Sequence, residues 1–131
     1  VTLALEPFKK YTTHICNEAS QLLRLLRTVG SPALKGLGDT DVIATTGVDT
    51  FETFIGILGR ENLAHVHFVD GNPGGHLVPG DGNLNLDQAL HTLEAFDYKG
   101  YLGLEILDRR YVMNPEDAMR RALAWYSERI G

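Results

Sequence analysis

Apolar and polar positions along the chain repeat one pattern four times: a short apolar strand, a polar loop, then an amphipathic helix. The first predicted strand is Thr2-Leu3-Ala4-Leu5-Glu6. Its helix runs from an N-cap at Asn17 through Leu22, Leu23, Leu25 and Leu26 to Gly30, a residue suited to close it. The second strand is predicted over Ala33–Asp39. The helix expected after it begins near Asp49 and carries Phe51, Phe54, Ile55 and Leu58 on one face before Gly59. The third strand covers Ala64–Val69 and is followed by a glycine-rich loop from Asp70 to Asn83. A helix then starts near Asn85 or Asp87 with Leu86, Leu90 and Leu93 at helical spacing. The fourth strand is predicted over Tyr101–Leu107, and Asn114-Pro115 opens a last helix that runs to about Ile130. Strands alternating with helices, at roughly the 30-residue spacing of one βαβ unit, predict an α/β fold with a parallel sheet. No linker or internal boundary interrupts the pattern.

Each predicted strand ends in a group that can bind a metal or move a proton: Glu6, Asp39, His67 and Glu105. In parallel α/β proteins the working face lies at the carboxyl ends of the strands. A charged group there costs desolvation unless it is paired or ligated. Alternation along a strand supports the grouping. Thr2, Ala4 and Glu6 share one face opposite Leu3 and Leu5, Tyr101, Gly103 and Glu105 lie opposite Leu102, Leu104 and Ile106, and His65 shares a face with His67. Three carboxylates and one imidazole make an oxygen-rich site suited to a divalent cation, Mn²⁺ first, with Mg²⁺, Co²⁺ or Zn²⁺ as alternatives; a structural zinc would prefer thiolates. Two glutamates at such a site could also do acid–base work on a carbon next to a carbonyl, one removing a proton and the other returning it on the opposite face.

Composition narrows the field. The 131 residues are 44% apolar and carry 12 basic against 17 acidic side chains, a net charge of −5. A surface built to track phosphate backbone would be basic, so no nucleic-acid partner is expected. No apolar run approaches the ~20 residues of a membrane span, and no secretory pattern is visible. With a single cysteine, Cys16, the chain has no internal disulfide, and a reducing, cytoplasmic setting is expected. Cys16 reads as a small apolar residue, and His14 and His91 as surface residues.

The motifs Leu5-Glu6-Pro7, Gly38-Asp39-Thr40, His65-Val66-His67 with Pro79-Gly80-Asp81-Gly82, and Leu104-Glu105 resemble the xylose-isomerase-like TIM-barrel superfamily, nearest its sugar and sugar-phosphate 3-epimerases. The stretches His67–Asp70, His76–Gly80 and Met113-Asn114-Pro115 look most like the fructoselysine 3-epimerase subgroup. The resemblance implies that Glu6, Asp39, His67 and Glu105 hold a divalent metal. Glu6 and Glu105 would be the catalytic acid/base pair, acting on a sugar or sugar phosphate through an enediolate. Three substrate positions common in these epimerases are replaced here by Thr12, Val42 and Pro73, and His76 is the expected substitute contact. Arg109, with Lys9, Lys10 and Arg110 after strand ends, could meet an anionic substituent, and Asp70 could support the ligands.

The resemblance covers strands five to eight of an eight-stranded barrel, and a full barrel needs ~250 residues. Residues 1–131 are therefore expected to form a single (β/α)4 half-barrel. It would be completed by a missing N-terminal half or by a second copy of itself, as a homo-oligomer. Two other functions stand beside an isomerase. One is a non-catalytic half-barrel that folds and self-associates. The other is a metal-dependent abasic-site endonuclease of the same superfamily, against which Gly74, at the position of that enzyme's aspartate, and the acidic charge both count.

Overall fold

In a computed structural model, which describes residues 1–130, four parallel strands lie in the order of the sequence. They are β1 (Leu3–Leu5), β2 (Leu34–Asp39), β3 (Leu63–His67) and β4 (Leu102–Gly103). Five helices alternate with them: α1 (Ala19–Val29), α2 (Thr40–Thr46), α3 (Phe51–Leu58), α4 (Leu86–Ala95) and α5 (Pro115–Ile130). None is long and apolar enough to cross a membrane.

The alternation expected from the sequence decides which face carries the core. Leu5 and Leu34 pack with Leu22 and Leu26 of α1 and with Phe54, Ile55 and Leu58 of α3. Each of these larger apolar side chains contributes roughly 1.5–3 kcal/mol when fully buried. Gly36 lets the helices approach the sheet closely, since a Cβ there would stand 2.8 Å from methyl groups of both Leu22 and Leu58. Val66 and Phe68 continue the layer under Leu86, Ala89 and Leu93, with Trp125 and Tyr126 of α5 against them. Glu6, Asp39 and His67 converge on the other face, with His65 beside His67. The sheet has two unpaired edges, β1 and β4, with Leu3 64% and Tyr101 87% exposed.

Three elements differ from the sequence expectation. The segment after β2 holds two helices rather than one. Asp39 ends β2 and at once caps α2, its Oδ1 accepting from Val42 N–H at 2.7 Å, and Gly47 in the left-handed region closes that helix after two turns. Such a short helix carries too few apolar positions to show a period. At α1 the capping residue is Glu18, not Asn17; Asp49 accepts from Ala19 N–H at 2.9 Å, while the Asn17 amide donates to Phe8 and Thr13 carbonyls and ties down the loop after β1. The fourth strand is only Leu102–Gly103. Beyond it Leu104 and Ile106 pack on Leu77, Val78 and Tyr111, and Leu107 N–H donates to His76 C=O, so this segment is held by the long loop instead of a neighbouring strand.

Candidate metal centre

Register brings the expected residues together. Asp39 pairs with His67 across β2 and β3, and His67 with Gly103 across β3 and β4. Glu6 is the first residue past β1 and Glu105 the second past β4. A side chain at position 103 would crowd this face, because a Cβ there would come within 2.7 Å of His65 Nε2 and 3.2 Å of His67 Cδ2. His65 meets His67 edge-on, their ring centres 5.4 Å apart, so it packs against a candidate ligand from behind.

Glu6, Asp39, His67 and Glu105 each present one donor atom, and all four atoms lie within 4.8 Å of one another. His67 Nδ1 stands 3.6 Å from Glu6 Oε1, 3.6 Å from Asp39 Oδ2 and 3.4 Å from Glu105 Oε2. Three of these atoms, Glu6 Oε1, Asp39 Oδ2 and His67 Nδ1, are buried without a hydrogen-bond partner. Buried polar atoms are nearly always satisfied, and leaving one unpaired costs about 1–3 kcal/mol. Three such atoms converging on one small gap fit a cation that would satisfy them together. The donor set, three carboxylates and an imidazole, suits a hard divalent ion.

The electrostatics carry the same signature. Burial, and then the neighbouring carboxylates Asp39 and Glu105, raise the Glu6 carboxyl above its usual range. Burial also works against the Asp39 charge, but the imidazoles of His67 and His76 and the Val42 N–H outweigh it and hold Asp39 down to about 2. Contact with Asp39 raises His67. Negative charge is concentrated here, and the imidazoles are drawn into offsetting it.

His76 also reaches the centre. It sits at the far side of the glycine-rich loop with a positive φ of 51°, uncommon for a residue with a side chain. Its Nε2 lies 3.4 Å from Asp39 Oδ2 and 3.3 Å from Glu105 Oε2, and its Nδ1 lies 2.9 Å from Asp41 Oδ2. Asp39 first and Asp41 second push this imidazole up to about 10. Asp70 serves the loop itself. Its carboxylate accepts from the backbone N–H groups of Gly71, Gly80, Gly82 and Leu84, at 2.8–3.1 Å. Arg109 is exposed in the turn Arg109–Tyr111, and no ion pair or side-chain hydrogen bond ties it to the four-residue centre among the described residues. Lys10 pairs with Glu18 at 3.0 Å and Arg110 with Asp108 at 3.1 Å.

Sequence reasoning passed over Asp41 and misread Lys9. Asp41 is fully buried, and Lys9, expected as a group that could meet an anionic substituent, is instead buried with its Nζ 3.2 Å from Asp41 Oδ2. The only signal was the doubling of acid in Gly38-Asp39-Thr40-Asp41, which reads equally well as a turn.

The profile of the xylose isomerase-like TIM barrel family matches residues 1–129. The chain belongs to that family. Among curated members of known activity, fructoselysine 3-epimerase from Escherichia coli O157:H7 is 29% identical over 124 residues, covering 92% of this chain but 44% of the enzyme. Among solved structures, the family fold is seen in a 3-keto-D-glucoside 4-epimerase from E. coli, with a TM-score of 0.80, 25% identity and coverage of 98% of this chain and 46% of that one. A D-psicose 3-epimerase crystallised with D-fructose shares the fold at a TM-score of 0.78 and 22% identity, with 96% of this chain matched to 48% of that one. The chain thus spans a little under half the length of these three proteins. With its four parallel βα units, it has the architecture of half a TIM barrel.

Proposed function

We propose that this chain carries the metal-and-glutamate half of a sugar or sugar-phosphate epimerase or isomerase site. The observation that carries the reading is the convergence of three buried, unpartnered donor atoms, with Glu105 beside them, at the carboxyl ends of four consecutive strands. Similarity to fructoselysine 3-epimerase supports the isomerase class.

Glu6, Asp39, His67 and Glu105 would hold a divalent cation, with Mn²⁺ the first choice for this donor set. Bound there, the ion would supply Lewis acidity to neighbouring carbonyl and hydroxyl oxygens of a sugar. Glu6 and Glu105 enter from β1 and β4, the two ends of the sheet. A sugar lying between them would meet one carboxylate on each side of the carbon next to its carbonyl. One glutamate takes the proton from that carbon, and the other delivers a proton to the opposite face, which inverts the centre. His76 Nε2 faces the same space and would hold a substrate oxygen. Arg109 would be recruited only by an anionic substituent that reaches out from the centre.

The test is solvent exchange. The chain loaded with Mn²⁺ is incubated in D₂O with a panel of ketoses and ketose phosphates, and deuterium entry at the carbon beside the carbonyl is followed by NMR. Exchange is expected with at least one panel member, and E6Q and E105Q should each lower it by about 10²–10⁴-fold, the usual contribution of a positioned acid or base. R109A should weaken exchange of phosphorylated sugars only. Unchanged exchange in E6Q and E105Q would refute the reading.

One observation favours a second reading, a half-barrel whose main role is assembly. Both edges of the sheet, β1 and β4, are unpaired among the described residues. Mn²⁺ uptake without exchange on any sugar, by a chain that forms a uniform oligomer, would favour it.

A further inference from the structure

Behind the centre lies a buried polar chain that the acid–base reading does not use. Asp41 is fully buried at the start of α2, and every partner it has comes from another segment. Its Oδ1 accepts from Gly74 N–H. Its Oδ2 accepts from His76 N–H at 3.2 Å, takes Lys9 Nζ at 3.2 Å from the loop after β1, and stands 2.9 Å from His76 Nδ1. One carboxylate therefore grips both the backbone and the ring of His76. Gly71 packs directly against it, where a Cβ would run into the carboxylate. On the far side of the ring, Nε2 faces Asp39 and Glu105.

The backbone of His76 shows why such a grip is needed. At φ 51° it sits in the left-handed region, which a residue with a side chain enters at a cost of order 1 kcal/mol and keeps only when its surroundings hold it. Asp41 on one side and Leu107 N–H on the His76 carbonyl on the other supply that hold. A loop anchor alone would need only the backbone contacts. The additional contact to Nδ1 fixes which ring nitrogen is turned inward, as a carboxylate bound to one imidazole nitrogen commonly does for the other.

We propose that Asp41 is a positioning residue for substrate binding: it holds His76 by Nδ1 so that Nε2 is presented to a sugar oxygen at the centre, and Lys9 keeps the Asp41 carboxylate in place. This rests on the epimerase reading for the identity of the substrate, but the Asp41–His76–Lys9 chain stands on its own geometry.

Two measurements on the full chain test it. In the first, without metal or sugar, the His76 Nδ1–H gives a slowly exchanging imidazole proton resonance, assigned by its loss in H76Q. D41N is expected to abolish it, and K9M, which keeps the carboxylate, to speed its exchange severalfold. Persistence of the resonance in D41N would overturn the proposal. In the second, the chain is loaded with Mg²⁺ and titrated with whichever panel sugar the wild type exchanges fastest. D41N is expected to weaken the sugar about tenfold, the low end for loss of an outer-shell partner, and to leave Mg²⁺ affinity within twofold. The double variant D41N/H76Q should bind the sugar no more weakly than H76Q, because both changes remove the same interaction. Additive losses, or a parallel loss of Mg²⁺ affinity, would show that Asp41 only supports the fold and would overturn the proposal. A wild-type chain that exchanges no sugar would remove the epimerase reading and the substrate role of Asp41 together; the proton resonance would still report whether Asp41 grips the ring.

Discussion

Asp39 occupies two positions at once. Oδ1 caps α2 through Val42 N–H, while Oδ2 is one of the three buried atoms with no partner. Asn ranks with Asp as a helix cap, so D39N keeps the first role and removes the charge of the second. The expected outcome is a loss of Mn²⁺ affinity of more than about 100-fold, above the range for outer-shell partners, together with a lower melting temperature of the metal-free chain at pH 7, because the His67 and His76 contacts that hold the Asp39 carboxyl down favour its charged form in the folded state. Isothermal titration and a thermal melt check the two halves. A different acid carries a pH dependence. Asp81 accepts from Tyr111 Oη at 2.7 Å and pairs with Arg121 at 2.7 Å, and Arg121 first, then Tyr111, hold its carboxyl below the usual range despite partial burial. A group depressed in the folded state adds stability above its unfolded value, about 3.9 for aspartate, and that stability is lost as pH falls through the folded value. D81N should therefore lower stability at pH 7 and flatten its decline below pH 4, as read by denaturant melts across that range. Arg121 is partly exposed, so the effect is screened and small.

At the scale of elements, Thr40 binds the start of α2 to the segment just after β3. Its hydroxyl donates to Val69 C=O at 2.6 Å and accepts from Val69 N–H at 2.9 Å, all of it buried. T40V keeps the shape and orphans both backbone groups. At about 1–3 kcal/mol for each unsatisfied group, the expected loss is about 2 kcal/mol or more, measurable by urea unfolding. This contact was not legible in the sequence, and the reason is general to the molecule. The four βα units were legible because each buries a periodic apolar face, as Phe54, Ile55 and Leu58 do on α3. The cluster of Glu6, Asp39, His67 and Glu105 was legible because strand ends and side-chain alternation are local properties. The Asp41 carboxylate was not, since its partners Lys9, Gly74 and His76 lie more than 30 residues away and only folding brings them to it. The fourth strand was overextended for a related reason. Tyr101–Leu107 alternates like a strand, but an edge gives it one neighbour, and beyond Gly103 the loop captures it.

For the whole molecule the cation and the open edges are linked. The centre draws one residue from the loop side of every strand, so a cation held there would pin β1, β2, β3 and β4 to one another at their carboxyl ends. A ligand that binds only the folded chain stabilises it by RT ln(1 + [L]/Kd), about 2.7 kcal/mol at a hundredfold excess over Kd. Mn²⁺ should thus raise the melting temperature of the wild-type chain, EDTA should reverse the rise, and D39N should abolish it. The opposite ends of the strands gain nothing from the ion. There Leu3 and Tyr101 stay exposed at β1 and β4, strands that are each paired on one side only, the kind of surface that recruits another strand. The two similar solved structures are about twice as long as this chain, which is what closing such a sheet requires. The chain alone is therefore expected to associate edge to edge. A lysine at position 3 or 101, placed on the edge as a charged block, should shift it toward monomer in light-scattering measurements without changing Mn²⁺ affinity. If Mn²⁺ affinity falls along with association, the second copy contributes to holding the ion, and the centre is shared between chains rather than built by one.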